Sequence, residues 1–109
     1  MRFSHIGIRT DEERPGETWV GATRVWVTDH AAHPFHVEWL RYAHDSPVTG
    51  PVRDVPHVAY VVDSIEEAAA GMKVLLEPFF VGDLRVGFYG GEDGSVIEFA
   101  EEHVPGAGA

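Results

Sequence analysis

From Phe3 to Arg9 the side chains alternate with the period of two that a β-strand imposes, because successive Cβ atoms point to opposite faces of a sheet. Two further segments have the β-branched and aromatic content of strands: ATRVWVTD, Ala22 to Asp29, and FHVEWLRYA, Phe35 to Ala43. The polar piece TDEERPGETW separates the first two, and its Pro15 and Gly16 argue against a helix there. HAAHP reads as a connection. HDSPVTGPVRDVP, with three prolines and a glycine, reads as a linker. Strand character returns from His57 to Val62. SIEEAAAG then predicts a helix, capped by Asp63 or Ser64, acidic in its first turn and ended by Gly71. KVLLEPFF predicts one strand or two short ones. Leu84 to Gly90 and Ser95 to Glu102 predict the last two strands, joined by the tight turn GEDG. The tail VPGAGA is expected to be loose.

This order repeats. HIGI near the start answers HVAY after the linker, TRVWVTD answers LRVGFYG, and FHVEWLRYA answers SVIEFAEE. Arg24 precedes Glu38 by 14 residues, and Arg85 precedes Glu98 by 13. The first copy is shorter where the second carries its helix. The pattern predicts an α+β fold in one domain built from two copies of a strand-rich module, the first one trimmed. The first module spans about residues 1–45, a linker about 44–56, the second module about 57–102 and a tail 103–109.

Composition narrows the function classes. A chain of 109 residues supports one modest core. It has no cysteine, so disulfides, zinc–thiolate sites and thiol nucleophiles are excluded. No apolar run is long enough for a membrane span, and no apolar stretch near the N-terminus resembles a secretory signal. The expected compartment is the cytoplasm. Eight basic against 18 acidic residues give a net charge of -10, which disfavours nucleic acid as a partner. Trp19, Trp26 and Trp39 are expected to fill the core or a subunit contact.

Alternation also sorts the ionisable side chains. His5 shares a face with Gly7 and Arg9, and His57 with Ala59 and Val61. Glu38 shares one with His36, Leu40 and Tyr42, and Glu98 with Val96 and Ala100. Both glutamates lie between large apolar neighbours, where a lone buried carboxylate is costly. Two readings stay open: the strands are half exposed and the glutamates face water, or two histidines and two glutamates share a divalent cation. Imidazole and carboxylate suit Ni, Co, Mn, Fe or Zn. His30, His33 and His36 are close in sequence, but Pro34 and the turn position point to a solvated hairpin end. GFYGGEDG is a hairpin, not a phosphate-cradling loop.

PHVAYVVDSIEEAAAG and GGEDGSVIEFAEE, with SHIGI and HVEWLRYA in the first half, resemble the βαβββ modules of the vicinal oxygen chelate superfamily. That superfamily includes glyoxalase I, extradiol dioxygenases and bleomycin-resistance proteins. The resemblance implies a cup-shaped mixed sheet around a divalent transition metal held by His5, Glu38, His57 and Glu98, similar to the bacterial glyoxalase I set. It implies proton transfer on a small oxygen-chelating substrate by an isomerase, epimerase or lyase, with Glu98 as the base and Glu38 as its counterpart. Arg9 matches an arginine that anchors a substrate carboxylate in glyoxalase I. Tyr42 and His36 flank Glu38 and are candidates to line the pocket. The alternatives are a sequestering protein of the bleomycin-resistance type and an extradiol-type dioxygenase. The trimmed first module has DEERPGETW where relatives have a helix, and the sheet surface this uncovers implies a homodimer.

Overall fold

The long alternating segment at the start becomes β1 (Arg2–Arg9), and the segment behind Pro56 becomes β5 (His57–Val61). These two strands run antiparallel at the centre of an eight-stranded sheet, described by a computed structural model over residues 1–102. On the free side of β1 lies β4 (Val37–Tyr42), parallel to it, followed by the three-residue strands β3 (Val25–Val27) and β2 (Thr18–Val20). On the free side of β5 lies β8 (Val96–Glu102), also parallel, followed by β7 (Leu84–Gly90) and β6 (Lys73–Val81). The mixed sheet curls around a cavity, and with its few short helices the class is α+β.

Alternation sorts most strand positions between two faces, interrupted by irregular register between Phe3 and His5 on β1 and between Val74 and Phe79 on β6. On β8, Val96, Glu98 and Ala100 face inward, whereas Ile97 and Phe99 face outward beneath α2 (Ile65–Ala68). That helix keeps a single turn. Ser64 caps it by accepting a hydrogen bond from the Glu67 N–H, and Ile65 is the fully buried anchor. The Ile65 N–H donates to the Glu101 carboxylate at 2.6 Å, fastening the helix start to β8.

Several expectations need correction. The proline-rich connection after β4 is more than a linker. Pro51 opens a short helix, α1 (Pro51–Asp54), at the first position, where its missing N–H costs nothing. Val48 and Val52, four residues apart, are buried in the inner core against Val86 and Phe88. The polar segment before β3 forms no helix, as expected, but it ends in β2. The three tryptophans are only half buried and lie outside the inner core. Trp19 faces Trp26 across the β2–β3 pair, and Arg14 lies 3.8 Å from the centre of the Trp39 ring. The tail VPGAGA lies outside the described residues. Among the described residues, no helix is long and apolar enough to cross a membrane.

Candidate metal centre

Registry between the central strands builds the site. Gly7 on β1 is the partner of His57 on one side and of Glu38 on the other. Ala59 on β5 is the partner of His5 on one side and of Glu98 on the other. Each histidine therefore sits opposite a residue with almost no side chain. At Gly7 the need is absolute, because a Cβ there would lie 2.0 Å from Cε1 of His57. Ala59 has no exposed surface at all. The small residues leave room for two imidazoles to lean over the seam between β1 and β5.

The four side chains converge. His57 Nε2 lies 3.0 Å and His5 Nε2 3.4 Å from the same Glu98 oxygen, and His5 Nε2 lies 3.6 Å from Glu38 Oε1. One ligand atom each from His5, Glu38 and His57 falls within 4.8 Å of the others. All four are largely withdrawn from water, with side-chain exposures of 2% for His57, 8% for His5, 10% for Glu98 and 17% for Glu38. Both Nε2 atoms are buried in ion-pair range of these carboxylates, yet neither makes a well-directed hydrogen bond to them. A divalent ion takes imidazole nitrogen and carboxylate oxygen at about 2.0–2.2 Å, which sets neighbouring ligand atoms about 3 Å apart. His5, Glu38 and His57 have the donor types and closeness that could hold such an ion, and Glu98 stands against both histidines without belonging to that group of three.

The electrostatics are divided. Burial pushes the Glu38 carboxyl up to about 7, with His5 opposing and Glu98 reinforcing the shift. Burial also pushes Glu98 upward, but the His5 and His57 rings beside it win and bring it down to about 2. Burial draws the His5 imidazole down, yet contact with Glu98 and the charge of Glu38 leave it above the ordinary value. One carboxylate of the quartet thus favours a proton and the other a charge. Ser4 Oγ lies 2.9 Å from His5 Nδ1 and orients the ring so that Nε2 is the nitrogen turned to the cluster.

The remaining candidates separate. Tyr42 lines the cavity, and burial followed by the charges of Glu38 and Glu98 pushes its hydroxyl upward. Arg9 does not line it. Its guanidinium is held by Asp54 at 3.0 Å and Asp11 at 3.5 Å. His36 also lies off the cavity. It precedes β4 and adopts a left-handed backbone (φ 56°), which breaks the alternation that placed it beside Glu38. Its exposed ring meets the edge of Phe3 instead.

His30 is the residue that sequence reasoning misses. Within the short 3-10 turn His30–Ala32, started by the Asp29 carboxylate accepting from the Ala31 N–H, its ring stacks on His5 at 4.3 Å and 20°. It lines the cavity with Nδ1 buried and unpartnered, and burial together with the neighbouring His5 lowers its pKa. The hairpin end expected to be solvated is therefore part of the wall. Only the histidine-rich composition of DHAAHPFH hinted at it, since contact with His5 is a long-range event.

No family model matches the chain, and no curated protein matches it. Among solved structures, the crystal structure of UcmS2 is similar with a TM-score of 0.37 and 15% identity, over 92% of this chain and 97% of that one. A likeness of that degree carries no argument about function.

Proposed function

We propose that the chain is a divalent-metal-dependent enzyme of the vicinal oxygen chelate type, holding one transition metal through His5, Glu38, His57 and Glu98 and catalysing proton transfer on a small substrate with two adjacent oxygens. The observation that carries this reading is the pair of buried Nε2 atoms of His5 and His57, without a well-directed hydrogen bond, set against two carboxylates from different strands. The mirrored pairing of β4 with β1 and of β8 with β5 supports the two-module description.

His5, Glu38, His57 and Glu98 would hold the ion, which would supply Lewis-acid polarisation of the substrate oxygens and stabilise the negative charge left by a departing carbon-bound proton. The chain itself supplies the acceptor for that proton. Glu98 is gripped by both histidines, at 3.0 and 3.4 Å, whereas Glu38 meets only His5, at 3.6 Å, and is the more exposed to the cavity. The geometry therefore favours Glu38 as the base and Glu98 as the fixed ligand, reversing the roles that the family resemblance implies. Tyr42 adds a hydroxyl to the wall beside Glu38. Val48 and Val52 close the floor and help keep water out. The trimmed first module, with half-buried tryptophans on its outer face, favours a homodimer, and a monomeric mass in sedimentation would count against it.

Tag-free protein loaded in turn with Ni, Co, Mn, Fe and Zn is incubated with α-hydroxycarbonyl compounds in deuterated water, and loss of carbon-bound protons is followed by NMR. The expected result is exchange with at least one metal, reduced at least a hundredfold in Glu38→Gln while the metal stays bound. Metal-loaded protein that binds such compounds without exchange in any combination overturns the enzyme and leaves a sequestering role, which the half-open apolar cavity also suits.

A further inference from the structure

The cavity that opens from the quartet has a volume of about 330 Å³, within the range of sites that enclose a small molecule. Its far wall is built from Val25 and Val27 on β3, Leu76 and Phe79 on β6, and Val86 and Phe88 on β7. Nothing in that wall donates to an anion. The chain has eight basic residues. Seven are arginines, and each stands within 4 Å of an acid: Arg2 with Glu102, Arg9 and Arg53 with Asp54, Arg14 with Glu12, Arg24 with Asp45, Arg41 with Glu17, and Arg85 with Glu66 and Glu101. The eighth, Lys73, does not line the cavity. Arg2 reaches its edge, already bonded to Glu102 and 70% exposed. The acids of the lining are Glu38, Glu98 and Glu102.

We propose, resting on the metal reading above, that the substrate is an uncharged and largely apolar molecule that carries its paired oxygens at one end. Two carboxylates balance the charge of one divalent ion, so the loaded centre has no surplus positive charge to attract an anion. A carboxylate, phosphate or sulfonate on the body of the substrate would lose its hydration against valine, leucine and phenylalanine with no partner in return. A hydrocarbon or aromatic body gains from the same wall, in proportion to the apolar area it buries. The specificity is thus for lack of charge at the distal end, set by Val27, Leu76 and Phe79, and for chelating oxygens at the proximal end.

The test uses zinc-loaded protein and two dyes of one framework: 3-hydroxyflavone, which is neutral and has adjacent hydroxyl and carbonyl oxygens, and its sulfonated derivative. Fluorescence titration is expected to give at least tenfold tighter binding of the neutral dye. Leu76→Trp, which fills the cavity, is expected to weaken the neutral dye at least tenfold with one zinc still bound. Val27→Arg, which supplies a cation, is expected to narrow or reverse the preference. Equal or tighter binding of the sulfonated dye to the parent protein overturns the proposal. So does a Leu76→Trp variant that keeps its zinc and binds the neutral dye within twofold of the parent. If Leu76→Trp does not fold, the dye pair on the parent and on Val27→Arg still decides. If the protein takes up no zinc, the metal reading fails by itself, and the two dyes measured on metal-free protein still decide the charge preference.

Discussion

Gly7 shows how much of the centre depends on one missing side chain. Its β1 position faces His57, and the imidazole occupies the space a Cβ would need. Gly7→Ala is expected to push His57 out of the quartet, weakening divalent metal binding at least tenfold in a competition titration and costing about 1–3 kcal/mol of stability from overpacking. Retention of full affinity in that variant would show that His57 is not a ligand. Ser4 acts one step further out, through the His5 Nδ1 contact of 2.9 Å. Ser4→Ala is expected to lower metal affinity roughly 10–100-fold, the usual cost of losing a group that orients a ligand. The histidine positions and the small residue two places after each, H-x-G and H-x-A, are visible in the sequence. What makes them meet is registry across the β1–β5 seam, which no local pattern contains.

Elements differ in how far the sequence announces them. The long strands stand out by their alternation and their β-branched and aromatic content, although β7 and β8 are buried on both faces because α2 covers the outer one. The faces assigned to Glu38, Tyr42 and Glu98 follow from the same period. His36 escapes it because a left-handed residue resets the alternation just before β4. α1 is hidden by composition, since a Pro- and Gly-rich stretch reads as a connection even where Gly50, with φ 69°, and Pro51 begin a helix. Pro51, suited to a first helical position, was the local signal for it. α2 was legible from its cap and acidic first turn, although it is held less by its own length than by Ile65. Ile65→Ala is expected to destabilise the protein by about 2–5 kcal/mol in urea unfolding while leaving metal affinity within twofold, because the helix packs on the opposite face from the centre. A large change in affinity would mean that the two faces are coupled.

At the scale of the whole molecule, the metal-free protein is expected to lose stability as pH rises from about 6 to 8. Glu38 is raised to about 7, so between its ordinary value and 7 the folded state holds a proton that the unfolded chain has released, and that advantage fades as pH climbs. His5, also raised, adds stability below its unfolded value that is lost as pH passes its folded one, in the same direction. His30 opposes them because it is lowered, but its window lies below pH 6.5. Glu98, lowered to about 2, acts only in acid, where its contribution disappears as pH falls. The net loss is on the order of 1 kcal/mol, or about 4–8 °C in Tm for a domain of this size. Bound metal displaces the same protons, so the Tm gap between loaded and metal-free protein is expected to widen from pH 6 to 8. A gap that narrows would contradict this assignment of charge.

Beneath these expectations lies the convergence of four groups from β1, β4, β5 and β8 on one point, and metal stoichiometry measures it most directly. Tag-free protein, equilibrated with a divalent metal and freed of excess by gel filtration, is analysed for its elements beside His57→Ala and Glu98→Gln. About one equivalent per chain in the parent and less than about a tenth in both variants is the predicted result. A parent that emerges without metal, or variants that retain as much as the parent, would contradict a shared ion at His5, Glu38, His57 and Glu98.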